Sequence, residues 1–294
     1  GANQEGATVI PRGGGTKQGW GNPPVRSDLI LSLARMNRVI EHAWADLTVT
    51  VEAGCTIAEL QRTLAERGQR LAVDPLWPER ATVGGVLSTN DTGVLRYRYG
   101  GLRDLVIGVT LALADGTLAK SGGKVVKNVA GYDLPKLVTG AFGTLGVITC
   151  ATFRLHPLPK RTRTVTAAFD SLDQAQRILL RVLDTQIVPA AVQLRVGTGT
   201  TQMDALFEGT EEGIRAQVET LRQIVPVTES GADVWKRQET GSKVPMLPSR
   251  IAETLAGLDG YAVIQGTGIG WVESPRLAEL RQKIEGNGGS LVLL

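Results

Sequence analysis

The sequence predicts an α+β protein in two parts, a larger glycine-rich part followed by a smaller one. Three observations predict it. Strand-like segments and glycine clusters crowd residues 1–157. Two prolines in three residues, Pro157 and Pro159, mark a boundary. Beyond them, strands alternate with amphipathic helices. The expected division is residues 1–157 and residues 158–294.

In the first part, Thr48-Val49-Thr50-Val51-Glu52 alternates and is β-branched, which predicts a strand. A helix follows. Thr56 is its N-cap, Glu59 completes a capping box, Ile57, Leu60 and Leu64 share one face, and Gly68 ends it. Leu105 to Ala114 and Thr117 to Ala119 flank Asp115-Gly116, a hairpin signal. Gly146 to Leu155 reads as one further strand. In the second part, strands are expected at Val165–Phe169, Ala191–Val196, Tyr261–Gln265 and Ser290–Leu294. Helices are expected after Ser171, over Glu211–Ile224, and from Pro275 at N1 to Gly286. Residues 230–250 read as a loop. This order predicts a ferredoxin-like α+β domain with helices on one sheet face. No clean internal repeat is evident. Both ends break off within element patterns, so truncation at each end is expected.

Composition narrows the function. The 294 residues are 42% hydrophobic and 21% charged, ordinary for a globular protein. With 32 basic and 29 acidic residues the net charge is only +3, and no Lys/Arg block stands out, so nucleic acid is not an expected partner. No apolar run reaches the ~20 residues of a membrane span. The two cysteines, Cys55 and Cys150, are far apart and form no metal-binding pair, so no metal is expected and both read as free thiols.

Three glycine segments carry the chemistry. Pro11-Arg12-Gly13-Gly14-Gly15-Thr16 follows a short apolar strand. Three glycines allow positive φ and let backbone N–H groups converge on an anion such as a diphosphate, with charge from Arg12 and a hydroxyl from Thr16. It is neither a Walker A loop nor a Gly-x-Gly-x-x-Gly turn; taken alone, it is an anion nest or a flexible turn. On the first reading, Gly14→Val places a Cβ where the diphosphate lies. Thr82-Val83-Gly84-Gly85, with Ser88, Thr89, Asn90 and Thr92, offers small residues and neutral hydrogen-bonding groups suited to a flat, polar-edged ligand. Gly100-Gly101-Leu102-Arg103-Asp104 reads as a loop held by an Arg103–Asp104 pair. In the third segment, residues 122–148, Asn128, Gly131, Tyr132 and Asp133 are unusually polar, Leu134 and Leu137 could cover a ring, Tyr132 is either part of a site or plain packing, and Thr139 to Ile148 return to a strand.

The Pro11–Thr16 loop, Thr82–Gly85 with Thr89-Asn90, Tyr99–Asp104, Lys127-Asn128-Val129-Ala130-Gly131-Tyr132-Asp133-Leu134 and Gly143-Thr144-Leu145-Gly146-Val147-Ile148 together resemble the FAD-binding domain of the vanillyl-alcohol-oxidase (PCMH-type) superfamily. The resemblance runs from residue 8 to about residue 157, and the 127–134 wording is similar to FAD-binding subunits of bacterial glycolate oxidases. It implies a two-lobed PCMH-type FAD-binding domain. Pro11, Arg12, Gly13, Gly14, Gly15 and Thr16 would wrap the diphosphate. Pro75, Thr82, Gly84, Gly85, Thr89 and Gly93 would lie along the diphosphate and flavin. Gly146, Val147 and Ile148 would contribute backbone contacts. Where some relatives attach flavin through a histidine, this loop has Gly15-Thr16, so non-covalent FAD is implied.

The resemblance further implies oxidation of a small 2-hydroxy acid, glycolate to glyoxylate, within a glycolate oxidase complex. A second flavin subunit and an iron–sulfur subunit would be the partners. The location would be cytoplasmic, or peripheral to the inner membrane through the complex. The alternatives are a self-sufficient FAD oxidase of another small alcohol or hydroxy acid, and a flavin-fold scaffold without chemistry. Only His42 and His156 could serve as a neutral-pH base, and both read as structural, so no catalytic residue is assigned. Arg195, Lys243 and Arg250 could bind a carboxylate but read as solvated charges.

Overall fold

The structure is a computed structural model that describes residues 2–22, 24–123, 132–236 and 241–293. It contains two compact units, Gly1–Gly93 with Tyr99–Leu158, and Val94–Arg98 with Pro159–Leu294. The short Val94–Arg98 segment belongs to the second unit although it precedes the Pro157 boundary in sequence. Within that unit Tyr97 packs against the core, and Arg98 Nη1 donates to the Glu208 carbonyl at 3.2 Å.

The first unit is built on a five-stranded sheet. Its strand order is Val39–Ala43, Thr48–Glu52, Val147–Arg154, Val106–Ala112 and Leu118–Gly122, each neighbour antiparallel. The Ile57–Ala65 helix buries Ile57, Leu60 and Leu64, and its cap is half of the expected box. Thr56 Oγ1 accepts from Glu59 N at 3.3 Å, but the Glu59 carboxylate pairs with Arg62 instead of reaching back. Thr56→Ala is expected to lower the first unit's unfolding free energy by about 1 kcal/mol, read as a shift in its urea midpoint. Asp104 also departs from expectation. It accepts from Gly101 N at 2.8 Å and starts the short Leu102–Leu105 helix, rather than pairing with Arg103.

One irregularity aims a residue at the site. Along Val147–Arg154, Cys150 faces Thr110 but Ile148 faces Leu111, so Thr149 is an extra residue in that strand. Such a bulge shifts the alternation by one. Ile148 and Ala151 therefore both reach the core, and with them Phe153. A parallel pair, Val9–Arg12 with Leu29–Ser32, stands apart from this sheet and delivers the chain into the first glycine loop.

The second unit holds an eight-stranded sheet. In chain order its elements run β-α-β-β-α-β from Arg161–Phe169 to Thr228–Ser230, and again from Ser242–Pro245 to Val292–Leu293. If the four strands of each run are numbered in order, both halves show the spatial order 4-1-3-2. They join edge to edge where Ala191–Gly197 pairs antiparallel with Tyr261–Gln265. The repeat is one of topology, so reading the sequence for similar residues did not find it.

Several expectations for this unit are corrected. Thr200–Gly209 and Ile269–Glu273 are strands that were not anticipated. The first alternates Met203, Ala205 and Phe207 inward, but Asp204 between them disguised it, since Asp is poor in strands. The second is interrupted by Gly270. Ser242–Pro245 is a strand inside the expected loop, with Pro245 at its end where a missing N–H costs little. The last helix is Leu277–Gly286, so Pro275 precedes it and does not occupy N1. The last strand is the short Val292–Leu293.

Candidate functional site

The first glycine segment lies flat against the chain at 80–82. A Cβ on Gly13 would sit 2.0 Å from Thr82 Oγ1, and one on Gly14 would sit 1.7 Å from the Arg80 carbonyl oxygen. Of the three, only Gly15 adopts positive φ, at 71°. Glycine is therefore required mainly for close approach, of Gly13 to the Thr82 side chain and of Gly14 to the Arg80 backbone, and the left-handed conformation is needed once. The expected reason for Gly14 is corrected accordingly: its missing Cβ clears Arg80, not a ligand.

The second segment is a helix, Val83–Thr89, and not the open loop its glycines suggest. Thr82 caps it, accepting from Gly85 N. Gly84 permits it to press on the Thr48–Glu52 strand end, because a Cβ would lie 2.8 Å from Ala53 Cβ. Thr89 Oγ1 donates back to the Gly85 carbonyl at 2.9 Å. At the other end Asn90 takes a left-handed conformation, φ 49°.

The C-terminal part of the third segment docks on that end. Gly140 N donates to the Leu87 carbonyl at 3.0 Å, and Phe142 N donates to the Ser88 carbonyl at 2.9 Å. Lys124 to Gly131, including Asn128, lie outside the described residues. Asp133 caps the Leu134–Val138 helix. Leu134 packs on the core, Leu137 and Tyr132 are exposed, and none of the three is among the residues lining the groove that the segments form.

These segments enclose one groove of about 460 Å³. Of the expected residues, Pro11, Gly13, Gly14, Gly15, Thr16, Thr82, Gly84, Gly85, Thr89, Gly146 and Ile148 line it. The others stand elsewhere. Arg12 is exposed and folds over Gly15. Pro75 is buried and is not among the lining residues. Gly93, at φ 86°, makes room for Asp74, whose Oδ1 would lie 2.1 Å from an added Cβ. Val147 is on the opposite face of its strand from Ile148. Lining residues that sequence reasoning missed include Lys17, Trp20, Phe142 and Thr144. The position of Lys17 directly after the glycine loop was the available signal.

The groove suits an extended cofactor with a diphosphate and flat rings. Glycine backbone and the hydroxyls of Thr16, Thr82, Ser88, Thr89 and Thr144 supply polar groups, while Ile10, Leu33 and Ile148 supply apolar surface. A Cβ on Gly85 would meet only Thr82 Oγ1, at 3.3 Å, so its absence widens the groove itself.

No histidine or cysteine is among the described lining residues. His42 Nε2 lies 2.9 Å from Gln69 Oε1, and His156 packs edge-on against Tyr99. Burial pushes the thiols of Cys55 and Cys150 above their ordinary range. Arg195, expected to be solvated, is instead bound to Asp204 through both Nε and Nη2. Arg250 pairs with Glu253. No group of three or more His, Cys, Asp or Glu that could hold a metal occurs among the described residues. No described helix is long and apolar enough to cross a membrane.

Comparison with known proteins gives a consistent picture. The FAD binding domain family matches residues 1–122. Glycolate oxidase subunit GlcD of Bacillus subtilis is 35% identical over 185 residues, covering 63% of this chain and 39% of that protein. D-lactate dehydrogenase of Archaeoglobus fulgidus is 34% identical over 193 residues, 65% of this chain and 43% of its own length. D-2-hydroxyglutarate dehydrogenase of Rattus norvegicus mitochondria is 38% identical over 152 residues, 52% of this chain and 28% of its own length. The chain thus spans less than half the length of each of these relatives. A solved structure of alkyldihydroxyacetonephosphate synthase superposes with a TM-score of 0.76 at 17% identity, over 98% of this chain and 69% of that one. That likeness establishes the fold.

Proposed function

We propose that this chain, a PCMH-type FAD-binding protein related to bacterial GlcD-type glycolate oxidase subunits, is the FAD-binding subunit of a glycolate oxidase or dehydrogenase complex. It takes part in oxidation of glycolate to glyoxylate. One observation carries the reading: three glycine segments far apart in sequence converge on a single groove.

Gly13 to Thr16 hold the diphosphate, Thr82, Gly85 and Thr89 line its path toward the flavin, and Gly146 and Ile148 form the far wall. Arg12, Pro75, Gly93 and Val147 are not among the lining residues and carry no cofactor contact in this reading. When bound, FAD supplies the two-electron acceptor for the substrate C–H bond. With both histidines engaged outside the groove, the base comes from a partner subunit, which favours an auxiliary role over a self-sufficient oxidase. Groove-lining glycines favour a working flavin site over a scaffold. The βαββαβ halves support a duplicated ferredoxin-like second domain. The partners are a second flavin subunit and an iron–sulfur subunit, with the complex in the cytoplasm or on the inner membrane.

The test is the flavin spectrum of the purified chain, alone and with candidate partners, before and after glycolate, D-lactate or D-2-hydroxyglutarate. Bleaching by glycolate only in the presence of partners is expected. Bleaching of the lone chain would remove the auxiliary role, and preferential bleaching by another hydroxy acid would reassign the substrate. Acid precipitation is expected to leave the flavin in the supernatant, read by its absorbance; flavin retained in the pellet contradicts non-covalent binding.

A further inference from the structure

Lys17 and Asp91 form a buried ion pair in the wall of the groove. Lys17 is 8% exposed and Asp91 is 1% exposed. Lys17 Nζ lies 3.4 Å from Asp91 Oδ2, 3.4 Å from Thr16 Oγ1 and 3.4 Å from the Leu76 carbonyl oxygen. The indole rings of Trp20 and Trp77 flank it, their centroids 5.7 and 5.6 Å away. Asp91 Oδ2 also accepts from Leu76 N at 3.0 Å. The ammonium is thus held by groups from three stretches of chain, next to the loop where a diphosphate would lie.

Burying two charges for structure alone is a poor bargain, since well-packed apolar residues do as well. Lys17 lines the groove and Asp91 is not among its lining residues, so the pair is a fixed dipole with its cationic end toward the anion site, where it is little screened. Resting on the FAD reading above, we infer that Lys17 is a positioning residue for the cofactor's diphosphate. Asp91 and the two indoles hold the ammonium in place, and through Thr16 it also holds the end of the glycine loop. Lys17 therefore acts on the phosphates and not on the isoalloxazine.

The test measures binding of FAD, ADP and riboflavin to the full chain. ADP carries the diphosphate without the flavin, and riboflavin the flavin without phosphate. Lys17→Met is expected to weaken FAD and ADP about tenfold or more, the scale of one charge-assisted contact. Riboflavin affinity should stay within about twofold.

A structural role is separated by Lys17→Met with Asp91→Asn, which removes both charges of the pair together. If Lys17 serves the diphosphate, this double variant stays weak for FAD and ADP while its melting temperature recovers. Recovery of FAD affinity in the double variant, or equal losses of FAD and riboflavin in Lys17→Met, would overturn the inference. So would unchanged FAD and ADP affinity. Failure of the wild-type chain to bind FAD or ADP would sink the FAD reading itself, and the inference with it.

Discussion

Gly14→Val protein is expected to purify with about a tenth or less of the wild-type flavin and to melt at a lower temperature even without flavin. The added Cβ would fall 1.7 Å from the Arg80 carbonyl oxygen, which is backbone and cannot swing aside. Overpacking of this kind costs about 1–3 kcal/mol and moves the loop off its seat. Gly85→Ala separates this effect from direct obstruction. Its Cβ meets only Thr82 Oγ1 at 3.3 Å, and alanine is favoured over glycine in a helix by about 0.5–1 kcal/mol. That variant should keep its flavin-free melting temperature and still bind flavin more weakly. Flavin titration and thermal melts of both variants check this. A Gly14→Val protein with normal flavin and normal melting would mean that the loop is not seated on Arg80.

Asp204→Ala is expected to destabilise the second unit by about 3–5 kcal/mol. Asp204 is fully buried, yet four hydrogen bonds converge on its carboxylate. Thr166 Oγ1 donates to Oδ1 at 2.7 Å and Gln193 Nε2 to Oδ2 at 2.9 Å. Arg195 donates through Nε to Oδ2 at 2.6 Å and through Nη2 to Oδ1 at 2.9 Å. Removing the carboxylate leaves a guanidinium and an amide in the sheet without their acceptor. Replacing both charged partners, Asp204→Leu with Arg195→Met, should recover most of the loss, because the unpaired charge is then gone. Urea unfolding, with the transitions of the two units read separately, measures each variant. A loss under about 1 kcal/mol for Asp204→Ala would show that the network carries little of the unit's stability.

This network shows why one strand was missed. In Thr200–Gly209 the inward residues Met203, Ala205 and Phe207 alternate as a strand should. Asp204 and Gln202 lower its β-propensity, and the sequence does not reveal that Asp204 is neutralised by Arg195 from the adjacent strand. The same holds for Arg195, which looks like a solvated charge until Asp204 is placed opposite it.

Local signals were legible throughout. Thr56 and Ser171 each cap a helix through a hydrogen bond to the third residue on. The Asp115-Gly116 turn sits where the hairpin needs it. Each such feature depends on residues a few positions apart, so spacing alone carries it. The glycine-rich character of the three site segments belongs to the same class.

Only the tertiary structure decided what those glycines meet and where the segments go. Gly14 is small because of Arg80, Gly84 because of Ala53, and Gly93 because of Asp74. The bulge at Thr149 that turns Ile148 to the groove depends on the register with Val106–Ala112, and the pairing of Lys17 with Asp91 on a fold that joins distant stretches. The doubling of the βαββαβ plan is likewise written in strand order, not in repeated residues. The physical reason is common to all of them. A residue's own type and near neighbours set its conformational preference, while the atoms that crowd it, or satisfy its charge, come from parts of the chain that only folding brings near.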